Sequence, residues 1–402
     1  MRFKILYILF LIAAIFYPNL HLPLGVTPRN IMTVVMLVVC IVEDKKLFFD
    51  KWFGIFIIFV FGYVMSANMT GYETTVLRYL IGFYLVGYVG YWSTIILCKK
   101  YNGSELIINT FIILGLLDVV VTIGQYYNIS LLTNIPQYLN IGVGDEFLEV
   151  MEEGEEALGL NLPGLMAHPV YNGYFIGVVG ILSLYYLKDG ISFIRLVPWG
   201  LSVISSFMVQ QRGPFYILLI ISFYVIFKTI GRKGGKYKVF WQLLLIVVVP
   251  IIISLLASFL LGGSSRFSKG MDSTGRENIY RNTLSFIENN FIWGGYTKLR
   301  REGNGAPHNL FLNAWVYGGF LGFLAIVWLT LKQFIMIIRL VLKSSVMLNY
   351  AFIICGMAFI GFTLNSLLHN SGIVTGDIII WTLWGICVSN VSGFRKVNTL
   401  ST

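Results

Sequence analysis

The sequence predicts an all-α polytopic integral membrane protein, and three observations carry that prediction. Mean hydropathy is +0.77 and only 12% of the 402 residues are charged, a balance outside the range of soluble domains. Apolar runs long enough for a helix to cross a bilayer, roughly 20 residues or somewhat fewer with snorkelling ends, recur about twelve times. Between them Lys and Arg alternate as the positive-inside rule asks. The whole of 1–402 therefore reads as one membrane domain of about 12 transmembrane helices, with an acidic extracytoplasmic loop at 128–170 and a basic one at 263–308.

The expected spans lie near 3–17, 30–42, 52–68, 77–97, 105–126, 171–187, 195–211, 213–229, 239–262, 309–331, 346–367 and 374–392. Arg2 and Lys4 before the first apolar run give it the layout of a secretory signal, but no small-x-small cleavage site precedes Tyr17-Pro18, so it is read as a retained span. With both termini cytoplasmic, 19 of the 29 Lys and Arg fall inside. Seven of the other ten sit in the loop 263–308. Either that loop meets an anionic partner, or it is long enough to be translocated whatever its charge.

The first five spans read as scaffold with short connections. Arg78 begins the fourth at its outer end, where it snorkels or reaches a lipid phosphate. Asp118 lies deep in the fifth; pairing with a neighbouring helix and a proton relay both fit it. Cys40, Cys98, Cys355 and Cys387 lie in or at the ends of apolar runs without metal-ligand spacing and read as small hydrophobes, not as disulfide or zinc partners.

The loop 128–170 holds seven of the 19 acids, and its FLEVMEEGEEALGL stretch has the pattern of an amphipathic helix lying on a bilayer. It reads as a solvated acidic face, as a lid that repels or guides charged saccharide, or as a cation site. The absence of any Asp-x-Asp pair weighs against the last. The loop closes with GLMAHPVYNGYF, in which His168 either hydrogen-bonds at the helix entrance or contacts substrate.

Spans seven and eight are joined by SSFMVQQRGPFYILL, which places Arg212 at the outer boundary in a tight Arg-Gly-Pro turn whose proline suits the first turn of a helix. The following KTIGRKGGKYK is a cytoplasmic anchor for anionic lipid. In the basic loop, Thr274 and Glu277 fit a capping box that opens a helix of roughly 15 residues. Spacing then puts Arg276, Tyr280, Leu284 and Ile287 on one face. Arg276 falls in the first turn, beside unpaired backbone amides that favour an anion. FIWGGY reads as a tight turn, KLRREGNG as a mobile, solvated segment, and Pro307-His308 as the opening of the tenth span. His308, Leu312, Trp315, Gly319 and Gly322 recur at helical spacing and are expected to line one face. At its wet end His308 has a pKa suited to moving protons.

These elements together resemble the O-antigen polymerase and O-antigen ligase superfamily. The resemblance rests on Arg-Gly after a span, the Gly275-Arg276 to Tyr280 element, the Trp293-Gly-Gly-Tyr296 turn, and His308-Asn309 running to Gly322, and it covers roughly 160–325. It implies a metal-independent, inverting glycosyltransferase without a cofactor, whose donor is a glycan on undecaprenyl pyrophosphate, in the bacterial inner membrane with its site facing the periplasm or outside. By the same carry-over, Arg212 and Arg276 hold the pyrophosphate and His308 acts at the acceptor hydroxyl. Tyr280, Asn309, His168 and Arg78 are the further substrate-binding candidates. Gln211 stands where the family often has serine. The first outside loop, 18–29, lacks the acid that metal-dependent membrane glycosyltransferases commonly place there.

Polymerase and ligase share these motifs, so transfer to a lipid-linked repeat and transfer to lipid A core or protein both remain open. A lipid-linked oligosaccharide flippase is the non-enzyme rival, although the chain has no internal repeat and its charges cluster in one loop. The expected partners are the lipid-linked oligosaccharide and membrane lipid, with a chain-length regulator and a flippase as candidate protein partners; no nucleic acid is implied.

Overall fold

A computed structural model describes residues 2–16, 27–47, 49, 52–71, 84–135, 162–166, 169–233, 276–302, 307, 309–343, 350–367 and 377–399. All regular structure among them is helical. In chain order the helices are α1 (Arg2–Phe16), α2 (Pro28–Asp44), α3 (Phe53–Met69), α4 (Val86–Tyr101), α5 (Ser104–Tyr126), α6 (Pro169–Ser183) and α7 (Phe193–Met208). They continue with α8 (Arg212–Lys233), α9 (Arg276–Asn289), α10 (Tyr296–Arg301), α11 (Leu310–Lys343), α12 (Tyr350–Asn365) and α13 (Ile378–Thr399). Single turns at Ser130–Thr133 and a 3-10 segment at Leu184–Asp189 extend α5 and α6.

Among the described residues, Ser104–Tyr126, Pro169–Asp189, Arg212–Ile230 and Leu310–Arg339 are long and apolar enough to cross a membrane. Phe53–Met69, Phe193–Met208, Tyr350–Asn365 and Ile378–Ser389 are shorter apolar helices. Each coincides with an expected span. The expected span at 239–262 and most of the acidic loop lie outside the described residues.

The helices form two units, one of residues 1–15, 28–104 and 273–402, the other of 16–27 and 105–272. In the first, α3 lies along α11, α4 along α13 and α2, and α12 along α13. Lipid is as apolar as leucine, so hydrophobicity does not draw such helices together; close van der Waals contact does. Gly62 of α3 shows the device, since a Cβ there would stand 2.6 Å from the Gly318 carbonyl oxygen and 3.0 Å from the Gly322 nitrogen. Gly322 thus serves helix approach as its spacing suggests, with Gly318 as its companion. Aromatic rings fill the remaining space: Phe56 stacks on Tyr88 at 4.5 Å and Trp52 meets Trp384 edge-on at 4.9 Å. Tyr7 and Thr94 share a buried hydrogen bond of 2.6 Å. All four cysteines are buried here, as expected of small hydrophobes. At one end Lys100 sits 3.9 Å from Glu43 and 3.8 Å from Asp44. Asp377 caps α13: its Oδ1 accepts from the Ile379 N–H at 2.9 Å.

In the second unit α6 packs against α7 and α8. Val119, Leu162, Ile176 and Val209 form a buried cluster joining α5, the connection before α6, α6 itself and the α7–α8 turn. Lys188 pairs with Glu105 at 2.8 Å.

Candidate functional site

The candidates of the basic loop belong to the first unit, where the loop is docked on a break in α11. That helix is interrupted at Gly319, whose φ of 61° and ψ of −164° lie in a region essentially restricted to glycine. In an unbroken helix the Phe320 N–H would donate to the Val316 carbonyl. Here Phe320 N–H donates to the Ile292 carbonyl at 3.0 Å, and the Val316 carbonyl accepts from the Gly295 N–H at 2.8 Å. One lost helical bond is replaced by two bonds to the segment 292–295, so both groups freed by the break, the Phe320 N–H and the Val316 carbonyl, have a partner. The fit is tight enough to exclude side chains: a Cβ on Gly319 would collide with the Ile292 carbonyl, and one on Gly294 with the Trp315 carbonyl. Trp315 closes the seam by donating from Nε1 to the Phe291 carbonyl at 2.9 Å and packing on Phe323 at 4.3 Å. Tyr296 stacks on Tyr317 at 4.3 Å.

This break corrects the expected single face running from His308 through Gly319 to Gly322. The apolar period continues across the break, but the backbone changes direction where the loop turn supplies alternative partners. Two further expectations are revised. The docked face of α9 is Thr283, Phe286 and Ile287 with Tyr280 half-buried, and Leu284 is turned out at 51% exposure, because Phe286 and Ile287 pack on Leu299 and Val316. The segment read as mobile and solvated begins as α10, with Leu299 fully buried in that same cluster.

Arg276 is the first residue of α9, at the helix end where unpaired N–H groups favour negative charge. Arg281 is occupied by an exposed i,i+4 ion pair with Glu277 at 3.0 Å, and Lys298 donates to Asn290 at 2.9 Å. Asn309 caps α11: its Oδ1 accepts from the N–H groups of Phe311 at 2.9 Å and Leu312 at 3.1 Å. Its Nδ2 donates to the Leu367 carbonyl at 3.0 Å, and the Leu310 N–H donates to the Ser366 carbonyl at 2.8 Å, so the start of α11 is tied to the end of α12. His308, directly before that cap, and Thr274 lie outside the described residues.

Arg212 belongs to the second unit. Arg212 is the first residue of α8 and half-buried, with Pro214 in the first turn as expected. The turn before it carries Gln210 at φ 57°, an uncommon conformation for a residue with a Cβ. Gln211 is buried against Gly173 of α6, where a glycine Cβ would stand 2.8 Å from the Gln211 Cβ. The Arg212 turn is thereby fixed to the Tyr-Asn-Gly segment that follows His168.

The same segment is held from its other side by a buried polar clamp. Gly164 donates its N–H to Gln125 Oε1 at 2.8 Å and accepts from Gln125 Nε2 at 3.2 Å. Leu165 N–H donates to Asp118 Oδ1 at 2.6 Å. Asn172 Nδ2 donates to the Leu162 carbonyl at 2.7 Å and to Thr122 Oγ1 at 3.0 Å. Asp118 thus bonds the backbone of the connection before α6, in place of the neighbouring helix that its depth suggested. It lies eight residues before the end of α5, about 12 Å along the axis, so non-helical backbone is carried down beside α5 with side chains bonding the Gly164 and Leu165 N–H groups and the Leu162 and Gly164 carbonyls. His168 and Arg78 lie outside the described residues.

Of the seven residues expected at the site, Arg276, Tyr280 and Asn309 are therefore placed in the first unit and Arg212 in the second. The helix break and the polar clamp were not foreseen. Asn before an apolar run was a readable cap signal for Asn309. No local signal points to bonds between the turn at 292–295 and the helix at 316–320.

Among the described residues the regular structure is helical and largely apolar, as in a membrane protein, and each unit has a helix that begins with an arginine. Residues 198–327, about a third of the chain, match the family model described as O-antigen ligase. That segment contains Arg212, Arg276, Tyr280, His308 and Asn309 together with the Gly319 break. No curated protein and no solved structure matches the chain.

Proposed function

We propose that the protein is a bacterial surface-polysaccharide polymerase that transfers glycan from an undecaprenyl-pyrophosphate donor to the sugar of a lipid-linked repeat unit, with inversion and without a metal. The observation that carries this reading is the match to the O-antigen ligase family model at 198–327, which takes in both arginine-headed helix starts and His308. In this reading the protein spans the inner membrane about twelve times, with both termini cytoplasmic and the site outside.

The acceptor hydroxyl oxygen attacks the anomeric carbon as its proton passes to His308. The bond from that carbon to the phosphate oxygen breaks, and the electron pair leaves with the lipid pyrophosphate. Arg212 and Arg276 hold the phosphate oxygens where negative charge develops. A unit charge pair near 4 Å contributes about 4 kcal/mol at an effective dielectric of 20, so two arginines supply what a divalent metal otherwise would. Guanidinium suits the task because its planar fork grips phosphate bidentately and stays charged. Tyr280, Asn309, His168 and Arg78 are proposed as further contacts to the donor or acceptor.

Arg276→Ala and His308→Ala are expected to abolish chain extension while the protein still inserts in the membrane. Arg212→Lys is expected not to rescue, because a lysine keeps the charge and loses the fork. Wild-type polymer from the Arg276 and His308 variants would remove the assignment. The printed family description favours a second reading, ligation of a finished chain to lipid A core or protein. Purified protein given only a lipid-linked repeat separates the two: a ladder of products supports polymerisation, and product only after an acceptor core is added supports ligation.

A further inference from the structure

We infer that the Phe291-Ile292 turn of the basic loop is seated in the lipid bilayer beside α11, so that the loop is anchored in the membrane through its own apolar side chains as well as through its ends. The partner is the hydrocarbon and interfacial layer of the membrane.

The placement follows from the backbone. Ile292 accepts from the Phe320 N–H, which fixes the turn at the level of Phe320. Phe320 directly follows the Gly319 break, after a first segment of α11 from 310 to 318 that is about 12 Å long and opens a stretch apolar and long enough to span. A turn bonded at that level is below the beginning of the membrane helix.

The surface of the turn agrees. Ile292 is 62% exposed and Phe291 46% exposed, although both are large and apolar. On α11 itself Leu321, Leu324, Trp328 and Leu331 are exposed at spacings of three, four and three, the stripe a spanning helix presents to lipid. That stripe begins one residue past the bond to Ile292, so Phe291 and Ile292 continue a lipid-facing surface onto the loop. Before the break, no described residue of α11 is fully exposed, and Trp315 and Leu312 are covered in part by the loop cluster of Phe286, Ile287 and Leu299. The Glu277–Arg281 ion pair stands in the first half of α9, while exposed Glu288 in its last turn and Lys298, which donates to Asn290, border the apolar turn. An exposed apolar patch continuous with a lipid-facing stripe, with the Lys298 ammonium at its edge on Asn290, fits the interfacial layer of a bilayer, where a lysine snorkels to the headgroups.

The test places a nitroxide at Ile292→Cys in the full-length protein in phospholipid nanodiscs. The four native cysteines are buried, so the wild-type protein gives the unlabelled background. Collision with oxygen, which concentrates in lipid, is compared with collision with a water-soluble nickel chelate. Labels at Leu331→Cys and Arg281→Cys mark the lipid and water limits. The expected result is oxygen in excess over nickel at 292, as at 331, with the ratio reversed at 281. Nickel in excess at 292 overturns the inference, and so does a label shielded from both reagents, which would mean that protein covers the turn. Phe291→Cys carries the same reading if the first variant does not fold. Because the readout needs no turnover, it stands or falls independently of the proposed transferase chemistry.

Discussion

At the scale of single residues, Asn309 shows how a motif position is explained by structure before chemistry is invoked. Its oxygen caps α11 and its nitrogen holds the end of α12. Asn309→Ala removes a cap worth about 1 kcal/mol and a hydrogen bond of similar size. Asn309→Ser keeps the cap and loses only the reach to Leu367, so thermal unfolding in detergent is expected to rank wild type above Ser above Ala. If both variants melt like wild type yet lose chain extension, the residue serves the substrate and not the helix. The cap was legible from an Asn standing before an apolar run; the tie to Leu367 was not, because its partner lies 58 residues away and is a bare carbonyl. Arg212 and Arg276 were legible as helix-opening cations for a related reason, since Gly-Pro and Thr-x-x-Glu announce helix starts locally.

At the scale of elements, hydropathy located the helices and failed at their interruptions. The run from Leu310 to Arg339 is apolar throughout, so composition alone gives no sign that Gly319 breaks it. Apolar periodicity carried the face of α9 one position too far, to Leu284, because the partner that selects the face, the Leu299–Val316 cluster, comes later in the chain. The connection before α6 is a second example. Buried Asp118, Gln125 and Asn172 read singly as unusual polar residues in apolar helices, and together they satisfy one stretch of backbone. Asp118→Ala leaves the Leu165 N–H unpaired in a buried site at a cost of about 1–3 kcal/mol, whereas Asp118→Asn retains an accepting oxygen. The fraction of protein surviving heat treatment, read by size-exclusion chromatography, is expected to fall for Ala and to stay near wild type for Asn. Equal losses in both would show that the carboxylate charge, not the hydrogen bond, matters there.

At the scale of the whole molecule, the two units divide the placed site residues between them, and the chain alone could not have shown it, because nothing local marks the boundary at 272–273 inside the basic loop. All four cysteines belong to the first unit and all are buried. A thiol-reactive dye is therefore expected to stay dark on the native protein and to brighten only as that unit melts, giving a stability readout confined to it. Labelling at room temperature would contradict the burial described. The joint at Gly319 has one more consequence. Loop and helix are registered there by peptide groups together with the Trp315 indole and the Tyr296–Tyr317 stack, so exchanges of other side chains leave the alignment untouched. What displaces it is a change in chain length between Gly295 and Val316, or a Cβ where glycine now stands. Insertions elsewhere in the loop are absorbed before they reach the joint, and the segment that carries Arg276 can drift in sequence while its attachment to the membrane helix keeps its address.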